Sequence, residues 1–489
     1  MHELETLISS LSSAEKKSFK IYSRRYEGDK DYLLLFDILS KGKSENLAGA
    51  EAIFNSKSPT GSFDNAANYL FRVLTDQLVS VRISQDKWFM RHHSFMKARL
   101  CFERSLPEKG LQELRKTQKL AEQAQDHMLY YQSIREELNW LADAGFANLS
   151  EQELVNRQMK SKHSLKLLHQ IHEHYSLYEL LKHRILNEQI GLDQNKKTIN
   201  DLILGELGII TTGARFQFES RKIHLLFQSF FLIYTKQYIS ALEVFKELNN
   251  LFEENENLWN YPPYDNLSAL EGILNNLRSI KYYAEMDYYI RKLEQLGCRP
   301  YPEHFRNAVY QTLCLYRLNR SLGLKQYKSA LQQIRSIDLN KADKQLELLL
   351  FSALAYFHNQ QYQQANKYIS QALNDNKPVR SSSIYRVCRL MHIIIHYELG
   401  NIDYLDYEIR AYKRFRSQQG RSFKIEKLIF YLIKVNPKKC STAKKRIAFK
   451  KIKRDIEEIN NSKQEEAIQK YFDFCEWIVK FFKTETALN

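Results

Sequence analysis

The chain has 489 residues and a formal net charge of +16, with 30 tyrosines and 27 phenylalanines against only 15 glycines and 8 prolines. A single compact core does not grow to that length, whereas a repeat array does, because each unit buries its face only against its neighbours. Scarce Gly and Pro, the residues that punctuate loops and break helices, favour an almost wholly helical protein with short connections, and the aromatic content excludes intrinsic disorder.

The first five residues, Met1-His2-Glu3-Leu4-Glu5, lead into no apolar run, so no secretory signal is read and a cytoplasmic location is expected. The most apolar stretches, at 223–234 and 428–435, are shorter than a bilayer span and read as buried helices. Six widely spaced cysteines without a C-x-x-C pair fit reduced thiols, not a disulfide framework or a zinc site.

Residues 1–95 read as an N-terminal helical unit. Ser12-x-x-Glu15 is a capping-box pattern, and Phe63, Ala66, Ala67, Leu70, Phe71, Leu74, Leu78 and Val81 follow helical period. Gly42-Lys43-Ser44 has the ending of a phosphate loop, but the glycine needed five positions earlier is Asp37. Basic residues such as Arg24 and Arg25 are too few and scattered for a DNA-reading helix-turn-helix.

Residues 96–205 read as degenerate helical repeats. Ser105-Leu106-Pro107-Glu108 and Ser150-Glu151-Gln152-Glu153 both look like helix starts, a serine cap with a carboxylate three positions on. Histidines at 163, 169, 172, 174 and 183 crowd one helix. His172-Glu173-His174 falls short of H-E-x-x-H, so the group reads as a solvated polar face and no metal or other cofactor is expected. No catalytic motif occurs in a defined frame, and the chain is not expected to be an enzyme.

Residues 206–378 carry a recurring phrase. It reads Tyr238-x-x-Ala241-Leu242-x-x-Phe245-x-x-Leu248, then Tyr327-x-x-Ala330-Leu331-x-x-Ile334-x-x-Ile337, then Tyr362-x-x-Ala365-x-x-x-Ile369-x-x-Ala372-Leu373, with looser copies near Tyr283 and Tyr404. A period of roughly 34 to 45 residues is what stacked helix pairs need. The alanine lets helices approach closely, and the aromatic at the helix start fills the gap beside the preceding helix.

The Tyr362 unit resembles a tetratricopeptide repeat. It has Ala353 and Tyr356 in its first helix, Tyr362, Ala365 and Ala372 in its second, and Pro378 just beyond the usual exit proline. The whole chain also resembles the large uncharacterised tetratricopeptide-like proteins common in Bacteroidota-type genomes. The resemblance implies an all-α, right-handed α-solenoid of antiparallel helix pairs in the cytoplasm. It also implies a concave groove lined by first helices, here Leu226, Phe230, Leu315, Asn319, Leu350 and Leu354. The Lys/Asn clamp that some members use for a terminal carboxylate is not matched, so an apolar stripe of another protein is the expected occupant.

Residues 379–489 form a basic C-terminal helical cap, entered through Arg380 and the serines after it. From Arg380 onward 24 Lys/Arg face 13 Asp/Glu, an excess of +11. Ala448, Phe449, Ile452, Ile456 and Ile459 fall on one face of a helix, with Arg446, Lys450, Lys451, Lys453 and Arg454 on the other. That face is a candidate for nucleic acid or another anionic surface. The aromatic run from Tyr471 to Phe482 reads as the buried face of the last helix. A scaffold or adaptor that binds another protein is the expected function, with a nucleic-acid-associated or regulatory protein as the alternative.

Overall fold

A computed structural model describes residues 2–23, 31–40, 47–59, 61–147, 149–187, 201–202, 204–206, 217–258, 263–337, 344–375, 383–418, 422–436, 442–462 and 465–483. Among these residues every regular element is helical and there is no strand, so the protein is all-α. No described helix is long and apolar enough to cross a membrane. Arg24, Arg25, Gly42, Lys43, Ser44, Pro378, Arg380 and the side chain of Arg446 lie outside the described residues.

The chain divides into two compact units, Met1–Gln170 and Ile171–Asn489. The boundary read near residue 95 falls inside a helix, Lys87–Glu103.

In the first unit, α1 (His2–Ser10), α2 (Ser13–Ser23), α3 (Asp31–Ser40), α4 (Leu47–Lys57) and α5 (Phe63–Gln85) enclose Phe19, Leu35, Phe36, Phe54, Leu70 and Leu74. Ser12 N–H donates to Glu15 Oε2 at 2.8 Å and Glu15 N–H donates to Ser12 Oγ at 3.2 Å, the reciprocal box read from sequence. Phe71 departs from its stripe and stands exposed. Then α6 (Lys87–Glu103), α7 (Pro107–Gln123) and α8 (His127–Asp143) pack each on the next, and α9 (Glu151–Asn187) carries the chain past residue 170. The Ser150/Glu153 box caps α9 as expected.

Ser105 does not cap α7. It has a left-handed φ of 58° and helps close α6: its N–H donates to Phe102 O and Leu106 N–H donates to Cys101 O. The next helix then starts at Pro107, whose missing N–H costs nothing at a first turn.

The second unit contains α10 (Phe218–Tyr234), α11 (Tyr238–Glu254), α12 (Tyr264–Ser279), α13 (Met286–Cys298), α14 (Glu303–Gly323), α15 (Tyr327–Ile334), α16 (Gln345–His358), α17 (Tyr362–Asp375), α18 (Ser383–Leu399), α19 (Ile402–Gln418), α20 (Lys424–Val435), α21 (Thr442–Asn460), α22 (Glu466–Gln469) and α23 (Phe474–Lys483). From α10 to α19 each helix packs on its neighbour in the chain, and one core runs through them all. Gly272 on α12 permits one such approach, since an added Cβ would collide with the Phe245 ring.

In the second unit one turn geometry recurs five times. Lys236, Lys281, Lys325, Gln360 and Gly400 have φ between 60° and 76°. In each turn the next residue's N–H reaches back to close the helix: Gln237 to Leu232 O, Tyr282 to Leu277 O, Gln326 to Ser321 O, Gln361 to Tyr356 O and Asn401 to His396 O, all at 2.8–3.1 Å. This is the six-to-one bond of a Schellman cap. Two residues after each left-handed position stands Tyr238, Tyr283, Tyr327, Tyr362 or Ile402. Three residues further on, Ala241, Met286, Ala330, Ala365 and Leu405 are all buried. The fifth copy is therefore phased on Ile402, two residues before the Tyr404 read from sequence.

Four of the five left-handed positions are not glycine, and an L side chain there is strained against its own carbonyl. Gln360→Gly should raise stability by roughly 0.5–1 kcal/mol and Gly400→Ala should lower it by about 1 kcal/mol. A Cβ at Gly400 meets nothing within 4 Å, so its effect is backbone strain alone. Urea midpoints check both signs, and reversal of either removes the turn assignment.

Candidate functional site

The six residues read as groove lining are placed in or against the core. Leu226 on α10, Leu315 and Asn319 on α14, and Leu350 and Leu354 on α16 are 0–3 % exposed. Phe230 is half-buried, edge-on to Tyr178 at 5.6 Å. Asn319 Nδ2 donates to Leu315 O within its own helix. The α16 helix is buried on every side, from Leu348 through Ala355, as a central helix must be. Five of the six are therefore core side chains, and only Phe230 is part-exposed.

Residues 471–477 also pack along this region. Tyr471 approaches Phe351 at 6.3 Å and Phe472 approaches Phe357 at 5.7 Å. Trp477 Nε1 donates to Glu398 Oε1 at 2.8 Å. Asp473 pairs with Lys281 and Glu476 with Lys325, each at 3.3 Å. The tail thus spans the ends of α12, α14, α16 and α18. Phe472, Phe474, Trp477 and Phe482 are buried, which makes the aromatic run core and not an exposed stacking platform.

The basic helix α21 has the two faces read from sequence. Ala448, Ile452 and Ile459 are buried, and Phe449 and Ile456 lean on the same core. Lys450, Lys451, Lys453 and Arg454 are exposed, with Lys451 Nζ 4.8 Å from the Tyr431 ring centroid. Its basic residues sit toward the N-terminal half, while Asp455, Glu457 and Glu458 follow. That order opposes what the helix dipole favours, so helix stability does not explain it.

Of the five clustered histidines, His163, His169, His172 and His183 are exposed, as the solvated-face reading expected. His174 is buried. Its Nδ1 lies 2.9 Å from Glu206 Oε1, and His224 Nδ1 lies 2.7 Å from the same oxygen. Burial works to raise the Glu206 carboxyl, but the hydrogen bonds from both histidines outweigh it and hold the group below its ordinary value. Sequence reading missed this cluster, because Glu206 and His224 come from elements far along the chain.

A second buried histidine pair occupies α18. His396 Nε2 is 3.1 Å from His392 Nε2, Asn401 Nδ2 is 3.0 Å from His396 Nδ1, and His392 Nδ1 faces Glu408 Oε2 at 3.4 Å. Burial and the neighbouring His392 push the His396 ring down to about 4, against a partial pull from Glu408. His358, lying flat on Tyr327, shifts the same way through desolvation.

The sign of the pH effect follows. An unfolded histidine takes up its proton near 6.5, while folded His396 resists until about 4. Stability contributed by the neutral ring is therefore present above 6.5 and lost as pH falls from 6.5 to 4. Allowing for solvent screening, His396 alone should account for about 2 kcal/mol. Urea titrations at pH 7, 6 and 5 check this, and His396→Gln should flatten the slope.

No protein-family model, no curated protein and no solved structure matches the chain.

Proposed function

We propose that the chain is a protein-interaction scaffold, an α-solenoid in which antiparallel helix pairs repeat in the manner of tetratricopeptide repeats. The observation that carries this reading is the closing turn built five times in the second unit, each with a buried small or apolar residue at the same place in the following helix. A repeated hairpin adds surface with every copy and converges on no single pocket. Because the first-helix positions are buried, the docking surface is assigned to the outward side of the second helices. Ile239 on α11, Tyr288 on α13 and Tyr407 on α19 are 67 %, 54 % and 55 % exposed there. Tyrosine favours interfaces because its ring gives apolar contact while its hydroxyl stays wet. The occupant is an apolar segment of another protein, and a cytoplasmic setting goes with the cysteines, of which the five described are free.

The test combines Ile239→Asp, Tyr288→Asp and Tyr407→Asp in one chain. Exposed positions should leave the helical circular dichroism and melting curve near those of the parent. Loss of proteins that cross-link to the parent supports the surface, and an unchanged set from a folded variant sinks it.

The α21 face favours a second reading, capture of a polyanion. Its inverted charge order is the supporting observation. Reversing Lys450, Lys451, Lys453 and Arg454 to glutamate should abolish retention on a polyanion column. The parent should elute earlier as salt rises from low to physiological levels. Retention that ignores salt removes this reading.

A further inference from the structure

We propose that His174, Glu206 and His224 form a binding site for a divalent first-row transition metal ion of the zinc type. The three residues come from α9, from residues 204–206 and from α10, and their ligand atoms all lie within 4.8 Å of one another. In a zinc site, bonds of about 2.0–2.2 Å set roughly at right or tetrahedral angles hold neighbouring ligand atoms roughly 2.9–3.4 Å apart. The two His Nδ1–Glu206 Oε1 separations, 2.9 and 2.7 Å, lie at or just below that range, and the two Nδ1 atoms, within 4.8 Å of each other, would close onto the ion.

Charge balance points the same way. Glu206 is 3 % exposed, so its carboxyl is withdrawn from water with both histidines on a single oxygen. Two imidazole N–H groups on one oxygen leave the carboxylate's negative charge formally uncancelled when both rings are neutral. The second oxygen, Oε2, is buried and has no hydrogen-bond partner among the described residues. A buried carboxylate with an idle oxygen is costly unless a cation meets it. A divalent ion at Nδ1, Nδ1 and the carboxylate would supply that cation, with each ring proton moving to Nε2. Two imidazoles and one carboxylate match zinc and its neighbours; magnesium and calcium prefer all-oxygen sets. Burial makes the role a structural tie between the three segments.

The experiment uses the full chain, stripped of metal by a chelator. Zn²⁺ titrated into it by calorimetry should bind one per chain, and Co²⁺ in its place should give the strong visible absorption of a low-coordinate nitrogen–oxygen set. His224→Gln and Glu206→Gln should each weaken Zn²⁺ binding at least about tenfold. Replacing the exposed His163, His169, His172 and His183 together by glutamine should leave it unchanged. A parent chain that takes up no stoichiometric Zn²⁺ overturns the proposal. So does binding that survives His224→Gln and Glu206→Gln, or that disappears with the four exposed histidines. Should Glu206→Gln fail to fold, His224→Gln and the titrations of the parent and of the four-histidine variant still decide the matter.

Discussion

Glu426→Ala should be among the most destabilising single changes in the second unit, costing about 3–5 kcal/mol. Glu426 is fully buried at the start of α20. Its Oε1 accepts from Tyr412 Oη at 2.6 Å and from Arg386 Nη1 at 3.3 Å, and its Oε2 accepts from the Phe423 amide at 3.3 Å. Arg416 Nη1 approaches to 3.8 Å. Burial pushes the Glu426 carboxyl up, against the opposing pull of Tyr412 and both arginines. Removing the carboxylate takes an ionic partner from the buried Arg386 and strands the Tyr412 hydroxyl, and these losses make the change severe. Glu426→Gln keeps an acceptor for Tyr412 and should cost less. Tyr412→Phe, which removes one hydroxyl, should cost about 1 kcal/mol. Urea unfolding followed by circular dichroism measures all three. A loss below 1 kcal/mol for Glu426→Ala would mean that the web contributes little.

The all-α class and the helix stripes were legible because periodicity is a local property. Ala241, Ala330, Ala365, Ile369 and Ala372 are all fully buried, as their spacing implied. Turn closures were harder to read. Glycine is the usual signal for a left-handed residue, yet Lys236, Lys281, Lys325, Gln360 and Ser105 adopt that conformation without it. Ser105 was consequently read as a cap for the helix after it. Four of the five copies show in sequence only through the tyrosine that follows, and the fifth shows through Gly400.

Candidate sites were less legible, for two physical reasons. Groove residues were assigned by analogy to a row of first helices with one open side. That assignment ignores a tail returning from more than a hundred residues away, and no periodic pattern announces such a return. The histidines were judged against their sequence neighbours, whereas His174 finds its partners on two other segments. A cluster assembled from three elements leaves no spacing signature in the chain.

Phe474→Ala tests whether the returning tail is held by burial or by charge. Phe474 is fully buried at the start of α23, with its ring 5.0 Å from Phe472, which in turn meets Phe357. Truncating a buried phenylalanine costs about 3–5 kcal/mol, through lost transfer energy and the cavity left behind. The ion pairs Lys281–Asp473 and Lys325–Glu476 lie at the surface, and such pairs contribute roughly 0–1 kcal/mol. Phe474→Ala should therefore loosen the tail, while Lys281→Ala with Lys325→Ala should change little. Hydrogen exchange would read this locally: amides at 281–282, 325–326 and 360–361 should lose protection in the aromatic variant. Because the tail bridges α12, α14, α16 and α18, the loss should reach all three turns together and not stay confined to the turn nearest the substitution. If the lysine variant exposed those turns as strongly as Phe474→Ala, electrostatics and not burial would hold the tail in place.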